Sequence, residues 1–133
     1  MNEQDGRKNV RVIIIDDDEL MRRVVVAALM ALECEIVGEA NDGVEGLKLY
    51  REMNPDLVLL DIRMPNMNGI EVLDALSEED NDPYVVMMTF LEDEDSVQDS
   101  MIGGAKDYLR KNMSMQEMVA RLERHVKRLS GDA

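Results

Sequence analysis

Val12-Ile13-Ile14-Ile15 runs straight into Asp16-Asp17-Asp18, and the same pattern returns three times downstream. Leu57-Val58-Leu59-Leu60 stops at Asp61, Tyr84-Val85-Val86-Met87-Met88 stops at Thr89, and the short run 105–110 stops at Lys111. Continuous β-branched and aliphatic runs are what strands covered on both faces of a sheet require. If the runs are parallel strands of one sheet, their ends share an edge. Carboxylates, a hydroxyl and an ammonium then converge on one crevice, a set of groups suited to Mg²⁺ and to phosphoryl chemistry.

Helical spacing fills the gaps between the runs. Residues 19 to about 32 carry Leu20, Met21, Val24, Val25, Ala28, Leu29 and Leu32 as one apolar stripe. Asp18 and Glu19 are read as charges complementing that helix's dipole rather than as ligands. Residues 35–40 form a second strand, and 43–53 a second helix with Val44, Leu47 and Tyr50 or Arg51 inward, ended by Asn54-Pro55. A turn at 64–69 leads to a third helix over 70–76, and an acidic loop, 78–83, is read as solvated. The fourth helix, 92 to about 101, has a thin apolar face of Val97 and Met101 and ends at Gly103-Gly104. Ser114-Met115-Gln116-Glu117 is a capping box that opens a last helix. In it Met115, Met118, Val119, Leu122, Val126 and Leu129 face inward, while Arg121, Arg124, Lys127 and Arg128 face out. His125 is expected to face solvent. Five β–α units predict a single α/β domain with a doubly wound parallel sheet, whose ligands bind beyond the carboxyl ends of the strands.

Composition agrees with one domain. The chain has 133 residues, 45% apolar and 33% charged, with no Trp, one Phe and 12 Met, so its core must be aliphatic with methionine as filler. The net charge of −14 argues against a nucleic-acid surface, which needs basic patches. The charge is uneven, with 11 Lys/Arg against 26 Asp/Glu in 1–113 and 4 against 3 in 114–133. The lone Cys34 suits a reducing compartment and a small core role. With neither a signal-peptide pattern nor a run of about 18 apolar residues, a cytoplasmic location is expected and no membrane partner.

Asp16, Asp17 and Asp61 would be close neighbours. Two carboxylates ~4 Å apart repel by about 4 kcal/mol at an effective dielectric of 20, so three of them need cations nearby. One Mg²⁺ with Lys111 balances them. The single His and single Cys disfavour zinc. No Walker A loop, dinucleotide glycine fingerprint or acyl-transfer triad is present. A carboxylate nucleophile remains: Asp61 attacks a phosphoryl group, the metal and Lys111 stabilise its oxygens, and Thr89 donates a hydrogen bond.

These residues resemble the receiver domain of two-component response regulators. The matching pieces are Ile13-Ile14-Ile15-Asp16-Asp17, the stretch from Asp56-Leu57-Val58-Leu59-Leu60-Asp61 through Ile62-Arg63-Met64-Pro65-Asn66-Met67-Asn68-Gly69, Val86-Met87-Met88-Thr89, and Gly104-Ala105-Lys106-Asp107-Tyr108-Leu109-Arg110-Lys111. Each alone is weak; all four in order are specific. The resemblance implies a flavodoxin-like (βα)5 sheet of order 2-1-3-4-5 over residues 10–129; the polar residues 1–9 are read as a disordered segment and 130–133 as a tail. It implies Asp61 as phosphoacceptor for a phosphohistidine on a sensor histidine kinase or phosphotransfer protein. Asp17, Asp61 and the Arg63 backbone carbonyl would ligate Mg²⁺, or Mn²⁺ in its place, with Asp16 acting mainly through water. Thr89 and Lys111 would hold the phosphate. Thr89 and Tyr108 would form the switch, and the fourth helix, fifth strand and fifth helix the output surface. That surface would meet a downstream protein, a fused output domain or a second copy.

The chain also departs from the family pattern. Phe90 stands where a small residue is usual and should narrow access to Asp61. Arg63 and Leu91 flank the path of the hydrolytic water and should tune the lifetime of the phosphorylated state. Asn112 follows Lys111 where proline is common, which predicts a trans peptide there. A haloacid-dehalogenase-like phosphatase or phosphotransferase would need a second Asp two places after Asp61, where Arg63 stands. A scaffold independent of phosphorylation would not need the intact acidic set. The expected role is therefore a signalling module rather than an enzyme with a metabolite substrate, either stand-alone or cut from a longer regulator.

Overall fold

The computed structural model describes residues 9–80, 82–90 and 94–131. The expected N-terminal segment therefore lies outside the described residues except for Asn9, as do Leu91 and the last two residues of the tail. Five strands alternate with five helices: β1 Arg11–Ile15, α1 Glu19–Ala31, β2 Glu35–Ala40, α2 Gly43–Met53, β3 Leu57–Asp61, α3 Gly69–Glu79, β4 Val85–Thr89, α4 Glu94–Ile102, β5 Asp107–Arg110 and α5 Met115–Ser130. All strand pairs are parallel, in the order β2-β1-β3-β4-β5. The doubly wound sheet read from the sequence is thus the one observed.

The two faces of the sheet follow from the period-2 alternation of a strand. Ile13, Ile15, Val58, Leu60, Val85 and Met87 join Leu47, Tyr50, Val72, Leu73 and Leu76, so α2 and α3 cover this face. Val12, Ile14, Leu57, Leu59, Val86, Met88 and Leu109 join Met21, Val25, Ala28, Leu29, Met118 and Leu122, so α1 and α5 cover the other. Burying a Leu or Ile on either face contributes roughly 1.5–3 kcal/mol. Cys34 packs beside the second cluster, and burial pushes its thiol up to about 11, which fits a core role. Among the described residues no helix is long and apolar enough to cross a membrane.

The helix ends are set by local chemistry. The Asp18 carboxylate accepts from the N–H groups of Leu20 and Met21 and caps α1. Asn68 and Glu71 form a capping box on α3, and Ser114 and Glu117 form the expected one on α5. Asn54 closes α2 in the left-handed conformation, with φ 47°. No cis peptide occurs among the described residues, so the bond before Asn112 is trans.

Several face assignments need correction. Leu20 is 71% exposed and Val24 39%. The α1 sequence is apolar on both sides, so spacing alone could not choose the buried one. Val44 and Met115, in the first turns of α2 and α5, are also exposed, as is Met101 on α4, where Ser100 faces inward instead. The acidic residues Glu78, Glu79, Asp80 and Asp82 are exposed, as expected of a solvated stretch, and three of them also find partners: Glu79 pairs with Arg51, Asp80 accepts from the Tyr50 hydroxyl and Asp82 pairs with Lys106.

His125 is the largest departure. It is buried, with Nε2 2.9 Å from Asp107 Oδ2 and Nδ1 2.7 Å from the Tyr84 hydroxyl. Facing a carboxylate, Nε2 donates to Asp107, while Nδ1 shares a hydrogen with the Tyr84 hydroxyl. Arg121 does not face freely outward either: it donates to Asp107 Oδ1 at 2.7 Å and to the Tyr108 carbonyl at 3.2 Å. Asp107 is thus engaged by α5 of its own chain.

Candidate functional site

Register builds the site. The pairing of β1 with β3 sets Ile15 beside Leu60, and β3 with β4 sets Asp61 beside Met88. Asp16, Asp61 and Thr89 therefore leave the sheet at nearly the same level. Pairing of Thr89 with Arg110 brings Lys111 to the same rim, where its N–H donates to the Thr89 carbonyl at 2.8 Å.

Asp16 is fully buried. Its Oδ1 accepts the Asp18 N–H at 2.9 Å. Its Oδ2 lies 2.8 Å from Lys111 Nζ, an ion pair by distance but without hydrogen-bond alignment, and has no other polar partner. Asp61 Oδ1 is 3.2 Å from the same ammonium and accepts the Arg63 N–H at 3.2 Å. Asp17 is exposed at the mouth, and carboxylate oxygens of Asp16, Asp17 and Asp61 lie within 4.8 Å of one another. A cleft of about 570 Å³ opens above them, lined by Asp17, Asp18, Glu19, Asp61, Arg63, Thr89, Phe90 and Lys111.

Three carboxylates face one ammonium. Burial first, then the charge of Asp16, push the Asp61 carboxyl up to about 7 against the opposing pull of Lys111. A hard divalent cation with oxygen ligands would neutralise the excess charge, and this donor set fits Mg²⁺. Asp17 and Asp61, which line the cleft, could bind an ion directly, whereas buried Asp16 lies beneath them.

Thus the structure gathers Asp16, Asp17, Asp61, Thr89, Lys111, Arg63 and Phe90 at one place. Tyr108 stands apart, half-buried against the core cluster that α2 and α3 cover, and pairs with Met87 rather than lining the cleft. Two supporting residues had escaped the sequence reading. Arg22 donates to the Asp16 carbonyl at 2.6 Å and to Glu39 at 3.1 Å, fixing the turn after β1. Gly69 packs so tightly that a Cβ there would fall 2.2 Å from the Asp61 carbonyl oxygen. Its place in the 64–69 turn offered a hint; Arg22, one of two adjacent arginines on a helix, offered none.

A family model described as response regulator receiver domain matches residues 12–123. The transcriptional regulatory protein LiaR of Bacillus subtilis (strain 168) is 38% identical over 110 residues, which is 82% of this chain and 52% of LiaR. The chemotaxis protein CheY of Listeria monocytogenes serovar 1/2a is 33% identical over 118 residues, covering 89% of this chain and 99% of that protein. Among solved structures, the CheX–CheY–BeF3–Mg²⁺ complex from Borrelia burgdorferi matches with a TM-score of 0.84 at 30% identity, covering 94% of both chains. The chain spans about half the length of the transcriptional regulators it matches and nearly all of the Listeria CheY.

Proposed function

This chain belongs to the response regulator receiver domain family of two-component signalling, and from that premise we propose that it accepts a phosphoryl group on Asp61 from a phosphohistidine of a sensor histidine kinase or phosphotransfer protein. The observation that carries the reading is the meeting of Asp16, Asp17 and Asp61 with Lys111 at one cleft. An Asp61 oxygen attacks phosphorus as the P–N bond to imidazole breaks, giving an aspartyl phosphate. Asp17, Asp61 and the Arg63 carbonyl would hold Mg²⁺, with Asp16 acting through water; bound there, the ion would supply positive charge that favours the ionised carboxylate and offsets the charge of the phosphoryl group. Lys111, already 3.2 Å from Asp61 Oδ1, pairs with a phosphoryl oxygen, and the Thr89 hydroxyl donates to another. The Borrelia complex supports the reading, because beryllofluoride stands in for a phosphoryl group.

Phosphorylation draws Thr89 toward the new group, Tyr108 turns inward, and the α4–β5–α5 surface changes shape. That surface acts on a separate protein, a fused output domain or a second copy, in the cytoplasm and without touching nucleic acid itself. Phe90 limits entry to the cleft; Arg63 and Leu91 govern the attacking water that ends the signal. The independently folding unit is residues 10–129.

The test is incubation with Mg²⁺, or Mn²⁺, and the small donor phosphoramidate. The wild type should gain one base-labile phosphoryl group by intact mass, and Asp61→Asn none. Equal labelling of Asp61→Asn would overturn the assignment. Multiple turnover of unrelated phosphate esters would favour the phosphatase reading instead.

A further inference from the structure

The Lys111 ammonium is held from three directions. Its side chain is 3% exposed, with Nζ 2.8 Å from Asp16 Oδ2 and 3.2 Å from Asp61 Oδ1. On a further side lies the Phe90 ring, whose centroid is 5.3 Å from Nζ. Phe90 is 54% exposed, so burial alone does not fix the position of its ring. The negative face of an aromatic ring attracts an ammonium within about 6 Å, and the attraction grows when water is kept out. Here the ring stands where water would otherwise solvate the cation. A less solvated ammonium exerts a stronger field on Asp61 and is already in place when negative charge arrives.

We propose that Phe90 is a positioning residue whose π face braces Lys111 against Asp61, so that its aromaticity, not its bulk, sets how tightly the cleft holds a phosphoryl-like group. The proposal deepens the phosphoacceptor reading and rests on it. A side chain acting only as a plug predicts a ranking by size, with Leu resembling Phe and Ala opening the cleft. A brace predicts that Leu and Ala both weaken the site while Tyr retains it.

Two measurements on the full chain decide between them. In the metal-free protein, the Lys111 side-chain methylene protons should be shifted upfield by the ring current in wild type and Phe90→Tyr, and should lose that shift in Phe90→Leu. With Mg²⁺ and beryllofluoride, calorimetry should show Phe90→Tyr binding like wild type, with Phe90→Leu and Phe90→Ala weaker by about fivefold. Phe90→Leu binding as tightly as wild type, or affinities ordered by side-chain size, would overturn the brace. If the wild type itself bound no beryllofluoride, the phosphoacceptor reading would fall, and the absence or presence of the ring-current shift would still judge the contact.

Discussion

At the scale of single residues, Asp61 carries a measurable cost. Its folded carboxyl sits at about 7, above the ordinary value near 4, because of burial and then Asp16. A group raised in this way contributes stability fully present below its unfolded value and lost as pH rises through its folded value. In metal-free buffer, Asp61→Asn should therefore exceed wild type at pH 8 by on the order of 2 kcal/mol, allowing for water at the cleft mouth. The gap should close below about pH 4, as urea unfolding at both pH values would reveal. Gly69→Ala forces a methyl group against the Asp61 carbonyl and should cost roughly 2–4 kcal/mol while weakening Mg²⁺ binding. Unchanged unfolding midpoints would refute that packing argument. Asp16, Asp61, Thr89 and Lys111 were legible in the sequence because each ends an apolar run, and strand ends share a rim. Arg22 was not, since nothing local distinguishes an arginine that reaches a carbonyl six residues back from one reaching into water.

At the scale of elements, α5 is fastened to the start of β5 by a polar clasp. Burial alone would raise the Asp107 carboxyl, but the His125 hydrogen bond, the Tyr108 N–H and Arg121 outweigh it and hold it below the usual range. A lowered carboxylate contributes stability above its unfolded value that is lost as pH falls through the folded one. Asp107→Asn should cost about 1 kcal/mol at pH 7, discounted for its partial exposure, and the cost should fade below about pH 4. Thermal melts of the pair at pH 7 and pH 3 would check this. Element type and order were legible throughout, because apolar runs and helical spacing are local properties. The buried side of α1 was not, since Leu20 and Val24 repeat as regularly as Met21 and Val25. His125 was misread for a related reason: its neighbours on α5 are basic, whereas its partners, Tyr84 and Asp107, come from distant parts of the chain.

At the scale of the whole molecule, a net charge of −14 makes any cation somewhat stabilising through screening. Specific Mg²⁺ binding must therefore be separated from ionic strength. With Mg²⁺ at about a hundred times its Kd, wild type should gain roughly 2.7 kcal/mol over a NaCl control of equal ionic strength. Asp61→Asn should gain much less, and equal gains would mean that only screening acts. One more consequence follows from where the corners of the cleft originate. Asp16 follows β1 and Lys111 follows β5, with Asp61 and Thr89 at the ends of the strands between them. No fragment of the polypeptide can own the cleft, and during synthesis it comes into being only once the last strand has been threaded beside its neighbour. A copy that stops short of Lys111 therefore lacks one corner of the cleft, however well its earlier strands have paired.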